Sequence, residues 1–237
     1  MRYRLAVEDV EPNRWVAWVL DLPACFSSAH TEAHAVSLAP ESIEAYYRWL
    51  ASHDSSLPVL SGPFEIELVE TFHSFASDED SQYLVNAFFQ DDRRPLAYWD
   101  VEVALRLLKW THQDLLEVVG SVTREQLSKP LAGEVRDPIA SETRGSLAGI
   151  LEHVAGAENW YFEQLGMGLD RTQLPGDPLG KLEVVRTNTS TRLVELIGDE
   201  RITRNCGELW SARKVVRRTL WHERAHTQQI ERLRTQL

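Results

Sequence analysis

The segment "WHERAHTQQI", residues 221–230, carries His222, Glu223 and His226 in the spacing His-Glu-x-x-His. At 100° per residue the two histidines stand about 40° apart on a helix and one turn from each other, which suits two imidazole nitrogens on one metal ion. The face they occupy matters more than the spacing. Ala212, Val215, Thr219, Ile230, Leu233 and Leu237 cluster on one side of the helical wheel, with His226 among them and His222 at the flank. Arg213, Lys214, Arg217, Arg224 and Arg232 take the other side. The pair is therefore expected to point into a helical core. Zinc peptidases use the same spacing but place a third ligand downstream. Eleven residues follow His226, Glu231 lies about 140° away around the helix, and Gln229 stands where the longer peptidase motif needs glycine. The expectation is against a peptidase.

A third ligand is then expected from a facing helix. In "GSLAGILEHVAGAENWYFEQLG", His153 sits beside the apolar stripe Leu147, Ile150, Val154, Tyr161 and Leu165. Its own row holds Gly149, Gly156 and Ala157, read as places where another helix approaches closely, and Trp160 two turns on is a candidate pocket wall and cofactor contact. One histidine from this helix and two from the last make a three-nitrogen site with an open position, the pattern of a catalytic metal. Zinc or nickel suits three imidazoles, and iron or copper stays open. Glu223, on the inward side, is a candidate general base or partner of a ligand imidazole, against a plain ion pair with an arginine. His112 lies at the centre of the stripe Val101, Leu105, Leu108, Leu115, Leu116 and Val119, and is a further candidate contact to the site, against a hydrogen-bonded core histidine. If either His112 or Glu223 were a fourth ligand, the metal would be structural. His30 and His34 are also four apart, but His30 precedes the N-cap candidate Thr31, so both are read as surface residues.

The elements that must position these residues change period along the chain. Residues 1–90 alternate in period two in "RYRLAVE", "RWVAWVLDL", "PFEIELVETF" and "QYLVNAFF", with a helical stretch from Thr31 to His53 that Pro40 should split. This predicts a small β-β-(β)-α-β domain with an antiparallel sheet. From about Leu96 the period becomes 3.6, in four runs near 98–119, 145–165, 178–198 and 211–236, with Asp177 and Ser211 as N-caps and Pro178 at a first helical position. The prediction is an α+β chain: the sheet domain over 1–90, then an all-α four-helix bundle over 96–237.

Composition bounds the function classes. The 237 residues are 43% hydrophobic and carry a net charge of -11, which argues against nucleic acid as the main partner. No run is apolar and long enough for a bilayer, and the N-terminal stretch lacks a signal-peptide pattern, so a cytoplasmic protein is expected. Cys25 and Cys206 are in no metal or disulfide spacing. Trp221, away from the ligands, is a candidate contact with the N-terminal domain or with a second subunit of a homodimer, against a half-covered surface aromatic.

His153 in "GILEHVAGAENWY", with His222 and His226 in "LWHERAHTQQI", resembles the pattern of the DinB/YfiT-like metal-binding four-helix bundles: one histidine on the second helix and His-x-x-x-His on the last. The opening piece "DLPACFSSAHT" with the helix after it resembles the HicB-like fold, whose usual motif has glycines where this chain has Ala24 and Ala29. The resemblances imply a metal-dependent enzyme that transfers or isomerises a small-molecule substrate with a low-molecular-weight thiol as cosubstrate, and a HicB-like half with a packing or regulatory role. The alternative is a non-catalytic metalloprotein in which the ion staples the bundle and the HicB-like half mediates protein contacts.

Overall fold

A computed structural model of the chain describes residues 1–57, 59–131 and 145–234. Leu237 of the apolar stripe and the 132–144 part of the loop before the second long helical run lie outside the described residues. The chain divides into two compact units, Met1–Asp91 with Cys206–Glu208, and Asp92–Asn205 with Leu209–Leu237.

In the first unit, β1 (Arg2–Glu11) and β2 (Arg14–Val19) form an antiparallel hairpin with Leu5 opposite Val19 and Val7 opposite Ala17. Asn13, at φ 62, supplies the left-handed residue of its turn. The third strand, β3 (Phe26–Ala29), pairs antiparallel with β2. Two helices follow, α1 (Glu32–Ser37), capped by Thr31, and α2 (Ala39–His53), which opens with Pro40 in its first turn. The proline splits the predicted helix where a fixed φ and a missing N–H are tolerated. Tyr3, Leu5, Val7, Ala35, Ile43 and Tyr46 are buried in this unit, and the Tyr3 and Tyr47 hydroxyls meet at 2.9 Å.

The sheet order is β3-β2-β1-β4, where β4 (Glu65–Phe72) runs parallel to β1. This corrects the expectation of an all-antiparallel sheet. A helical crossover carries the chain back to the starting end of the sheet, so the next strand repeats the direction of the one it left. The predicted run "QYLVNAFF" contributes only β6 (Leu84–Val85), paired with β5 (Phe75–Ala76).

The second unit is helical. Its long helices are α3 (Tyr98–Gly120), α5 (Leu147–Glu163), α6 (Pro178–Glu195) and α7 (Ala212–Arg234). They pack α5 on α6, α3 on α7, α5 on α7 and α3 on α6. Leu115, Val119, Leu147, Ile150, Val154, Leu182, Val185, Ile230 and Leu233 make one apolar core among them. Asp177 caps α6 through a 2.8 Å bond from the Gly180 N–H, with Pro178 in the first turn. Two loops predicted as irregular hold structure: α4 (Arg124–Ser128), capped by Thr123, and a hairpin of β7 (Thr203–Asn205) and β8 (Glu208–Trp210) whose turn places Cys206 and Gly207 at positive φ. Among the described residues no helix is long and apolar enough to cross a membrane.

Two basic residues on the side of α7 away from the histidines are covered in the folded chain. Lys214 is fully buried with Nζ 4.4 Å from the Trp210 ring centre, and Arg217 forms a 2.7 Å ion pair with buried Asp92. Long aliphatic stems allow such residues to be covered when an aromatic face or a carboxylate meets the charge.

Candidate functional site

Serine caps set the start of both helices that carry the histidines. Ser146 accepts from the Gly149 N–H at the start of α5, and Ser211 accepts from the Lys214 N–H at the start of α7 while donating to the Asp92 carbonyl at 2.6 Å. With both starts defined and the shared core between them, His153 faces His222 and His226. The Nε2 atoms of His153 and His222 lie 3.0 Å apart, and those of His222 and His226 3.2 Å apart. One ligand atom from each of the three histidines lies within 4.8 Å of the others, so the group could hold a metal ion. Tetrahedral coordination with bonds of 2.0–2.1 Å separates ligand atoms by about 3.3 Å, close to both measured edges.

No family model, curated protein or solved structure matches the chain. The chemistry of the site is therefore argued from its own geometry.

The side chains around the triad indicate what the nitrogens present. Gln229 Oε1 lies 2.6 Å from His226 Nδ1 and accepts a hydrogen bond from it. An amide oxygen has no proton to give, so Nδ1 carries the proton and Nε2 faces the other histidines as a lone pair. The Tyr161 ring stands edge-on to His222, with centroids 5.9 Å apart, and stacks on Trp210 behind it. Trp160, the predicted pocket wall, turns its ring onto Trp210 at 5.1 Å, and the rings that stand against His222 are those of Tyr161 and, at 5.8 Å, Trp221. His222 and His226 are buried and His153 is half-buried. The row His153, Gly156, Ala157 and Trp160 on α5 is half-exposed throughout. A Cβ added at Gly156 would meet nothing within 4 Å, so this glycine does not serve the close helix approach expected of it. It leaves space one turn from His153.

Glu223 and His112 belong to a second cluster. Glu223 accepts a short hydrogen bond from the Thr111 hydroxyl, meets His112 Nδ1 at 3.2 Å and pairs with Arg186 at 2.8 Å. Arg186 also pairs with Glu158 at 2.7 Å and donates to the Leu108 carbonyl, while His112 Nε2 reaches Glu183 at 3.2 Å. Every long helix contributes: Thr111 and His112 from α3, Glu158 from α5, Glu183 and Arg186 from α6, Glu223 from α7. Burial works against the charged forms of His112, Glu158, Arg186 and Glu223, and the partners decide the outcome. Burial alone would raise Glu223, but the Arg186 charge and the His112 and Thr111 bonds hold its carboxyl below the ordinary range. Burial would lower His112, and the Glu223 bond and charge outweigh it to raise the imidazole. Burial raises Glu158, and the Glu223 charge adds to it against the pull of Arg186.

The predicted site residues thus fall into two groups. His153, His222 and His226 come together, whereas Glu223 and His112 are held in the ion-pair network and Trp160 packs on Trp210 and Tyr161. Sequence reasoning missed Gln229, Tyr161, Glu158 and Arg186. Two of them left a signal: Arg186 interrupts the buried row Leu182, Val185, Thr189 and Leu193 of α6, and Gln229 falls one turn after His226 beside buried Ile230. His30 and His34 are exposed, and His30 Nδ1 meets the Asn13 carbonyl. Trp221 is 5% exposed, with the Arg218 guanidinium 4.8 Å from its ring centre and its own ring 5.8 Å from that of His222, so it is neither a half-covered surface aromatic nor remote from the ligands.

Proposed function

We propose that the helical unit is a four-helix bundle of the DinB/YfiT-like type that holds one divalent metal ion on His153, His222 and His226. On this reading the protein is a metal-dependent enzyme that transfers or isomerises a small-molecule substrate with the help of a low-molecular-weight thiol. The observation that carries it is the convergence of three imidazole nitrogens, two edges of which measure 3.0 and 3.2 Å. Nitrogens at these distances can share a proton or a cation, and Gln229 gives His226 an Nε2 lone pair that suits a metal ligand. Three neutral nitrogens suit zinc or nickel, with iron and copper as alternatives.

When bound, the ion supplies a Lewis acid that lowers the pKa of a thiol cosubstrate toward neutrality. The chain's own residues hold the ion, wall the site with Tyr161 against His222, and leave the half-exposed row His153, Gly156, Ala157 and Trp160 as the approach for a small molecule. Glu223 and His112 position the helices and do not touch the reacting atoms. The competing reading, a metal that only staples the helices, calls for a fourth protein ligand. Its two candidates, His112 and Glu223, are engaged with Glu183, Arg186 and Thr111 instead. For the N-terminal unit we favour the HicB-like reading with a packing or regulatory role in a cytoplasmic protein. Ala24 adopts φ 69, the left-handed region that favours the glycine of that pattern.

The test is elemental analysis of untagged protein purified without chelator, beside His222→Ala. About one equivalent of divalent metal, lost in the variant, is expected. Wild-type protein that carries none and takes up none on titration would sink the proposal.

A further inference from the structure

Gln229 is 1% exposed on the core side of α7, between His226 and Leu233. Its Oε1 accepts from His226 Nδ1 at 2.6 Å, while its Nε2 is buried with no hydrogen-bond partner among the described residues. A leucine would fill such a position without leaving an amide N–H unsatisfied, so packing does not explain a glutamine here. What the glutamine does is select a tautomer. A neutral imidazole can carry its proton on either nitrogen, and the partner of one nitrogen decides the state of the other. With the proton held on Nδ1 by an acceptor, His226 Nε2 is a lone pair, and it is this atom that lies 3.2 Å from His222 Nε2.

We infer that Gln229 is a positioning residue of the histidine site, which locks His226 in the Nδ1–H form and orients its ring so that Nε2 is available as a metal ligand. The purpose of the lock rests on the metal reading above, but the tautomer does not require a bound ion and can be read without one. Outer partners of this kind raise ligand basicity and remove the cost of reorienting the ring on binding.

The experiment compares wild type, Gln229→Leu and Gln229→Glu. Long-range nitrogen–proton NMR of the metal-free proteins reads the His226 tautomer, and calorimetric titration with zinc reads affinity. Expected results are an Nδ1–H ring in wild type that is lost in Gln229→Leu, and zinc affinity reduced about 10- to 100-fold in that variant. The metal-free melting temperature should be unchanged or higher, and Gln229→Glu, which keeps an acceptor, should restore most of the affinity. An Nε2–H ring in metal-free wild type overturns the inference whatever the zinc data show. Wild-type affinity in Gln229→Leu overturns it as well, with the metal reading intact. Failure of wild type to bind zinc beside an Nδ1–H ring overturns the metal reading, and the positioning role with it.

Discussion

Two buried polar clusters share helices α5 and α7 and differ in how their charges are balanced. Around Arg186, carboxylates meet a guanidinium and an imidazole at 2.7–3.2 Å, so attraction within the protein offsets the loss of water. At the triad, three imidazoles of one chemical kind turn nitrogens toward one another at 3.0 and 3.2 Å, and the proposed function adds a cation from outside the chain. The first cluster balances its charges within the folded chain, and on the proposed function the second is completed by a ligand. On that proposal the Glu–Arg–His network serves stability and helix register, and the triad serves function.

The largest expected effect comes from breaking the complete cluster. Arg186→Met leaves Glu158 and Glu223 facing each other in the core, and denaturant unfolding of the metal-free protein should show a loss of about 3–5 kcal/mol. A loss below about 1 kcal/mol would show that the network does not maintain the fold. The triad should behave in the opposite way. His153→Ala is expected to unfold at nearly the wild-type denaturant concentration without metal. Zinc at about 100 times its dissociation constant should stabilise wild type by about 2.7 kcal/mol and leave the variant unmoved. Equal stabilisation of both proteins would detach the metal from His153.

Titration sharpens the contrast further. His112 is raised in the folded protein, so its contribution is fully present below its ordinary value of 6.5 and is lost as pH rises through the raised value. Stability should decline over that window by at most about 1.4 kcal/mol per pH unit. Glu158, also raised, has the same sign but begins from 4.5, so comparison with His112→Gln isolates the imidazole. Glu223 is lowered, and its contribution, present above 4.5, is lost only as pH falls through its lowered value. A His112→Gln profile parallel to wild type above pH 6.5 would remove His112 from the balance. The smallest effect is expected at the rim: the Glu183 side chain is 59% exposed, and Glu183→Gln should cost about 0–1 kcal/mol in thermal unfolding.

The two clusters were not equally legible in the sequence. His222 and His226 could be paired because four residues bring a helix around by one turn, and His153 could be added because it lies beside an apolar stripe of the right length. The network could not be read in this way. Its members come from four helices, and a lone His112 or Arg186 in a helical pattern does not show which carboxylate it meets. The basic residues of α7 were hard to read for a related reason: a helical wheel puts Lys214 and Arg217 on the side away from the histidines but does not show that Trp210 and Asp92 cover them. In the sheet, period-two alternation marked β1, β2 and β4 but carried no information on the direction of pairing, which depended on the crossover through α1 and α2.

By itself, then, the sequence determined what is local. Residue spacing set the period of each element, serine, threonine and aspartate caps set where helices begin, and the i, i+4 histidines were placed on one face, because these depend on backbone geometry over one or two turns. Only the tertiary structure decided which nitrogens converge, that Tyr161 rather than Trp160 stands against His222, and that Glu223 is bound by Arg186 and His112. Those outcomes depend on distances between helices far apart in the chain, and on the desolvation of charges that only the assembled core imposes.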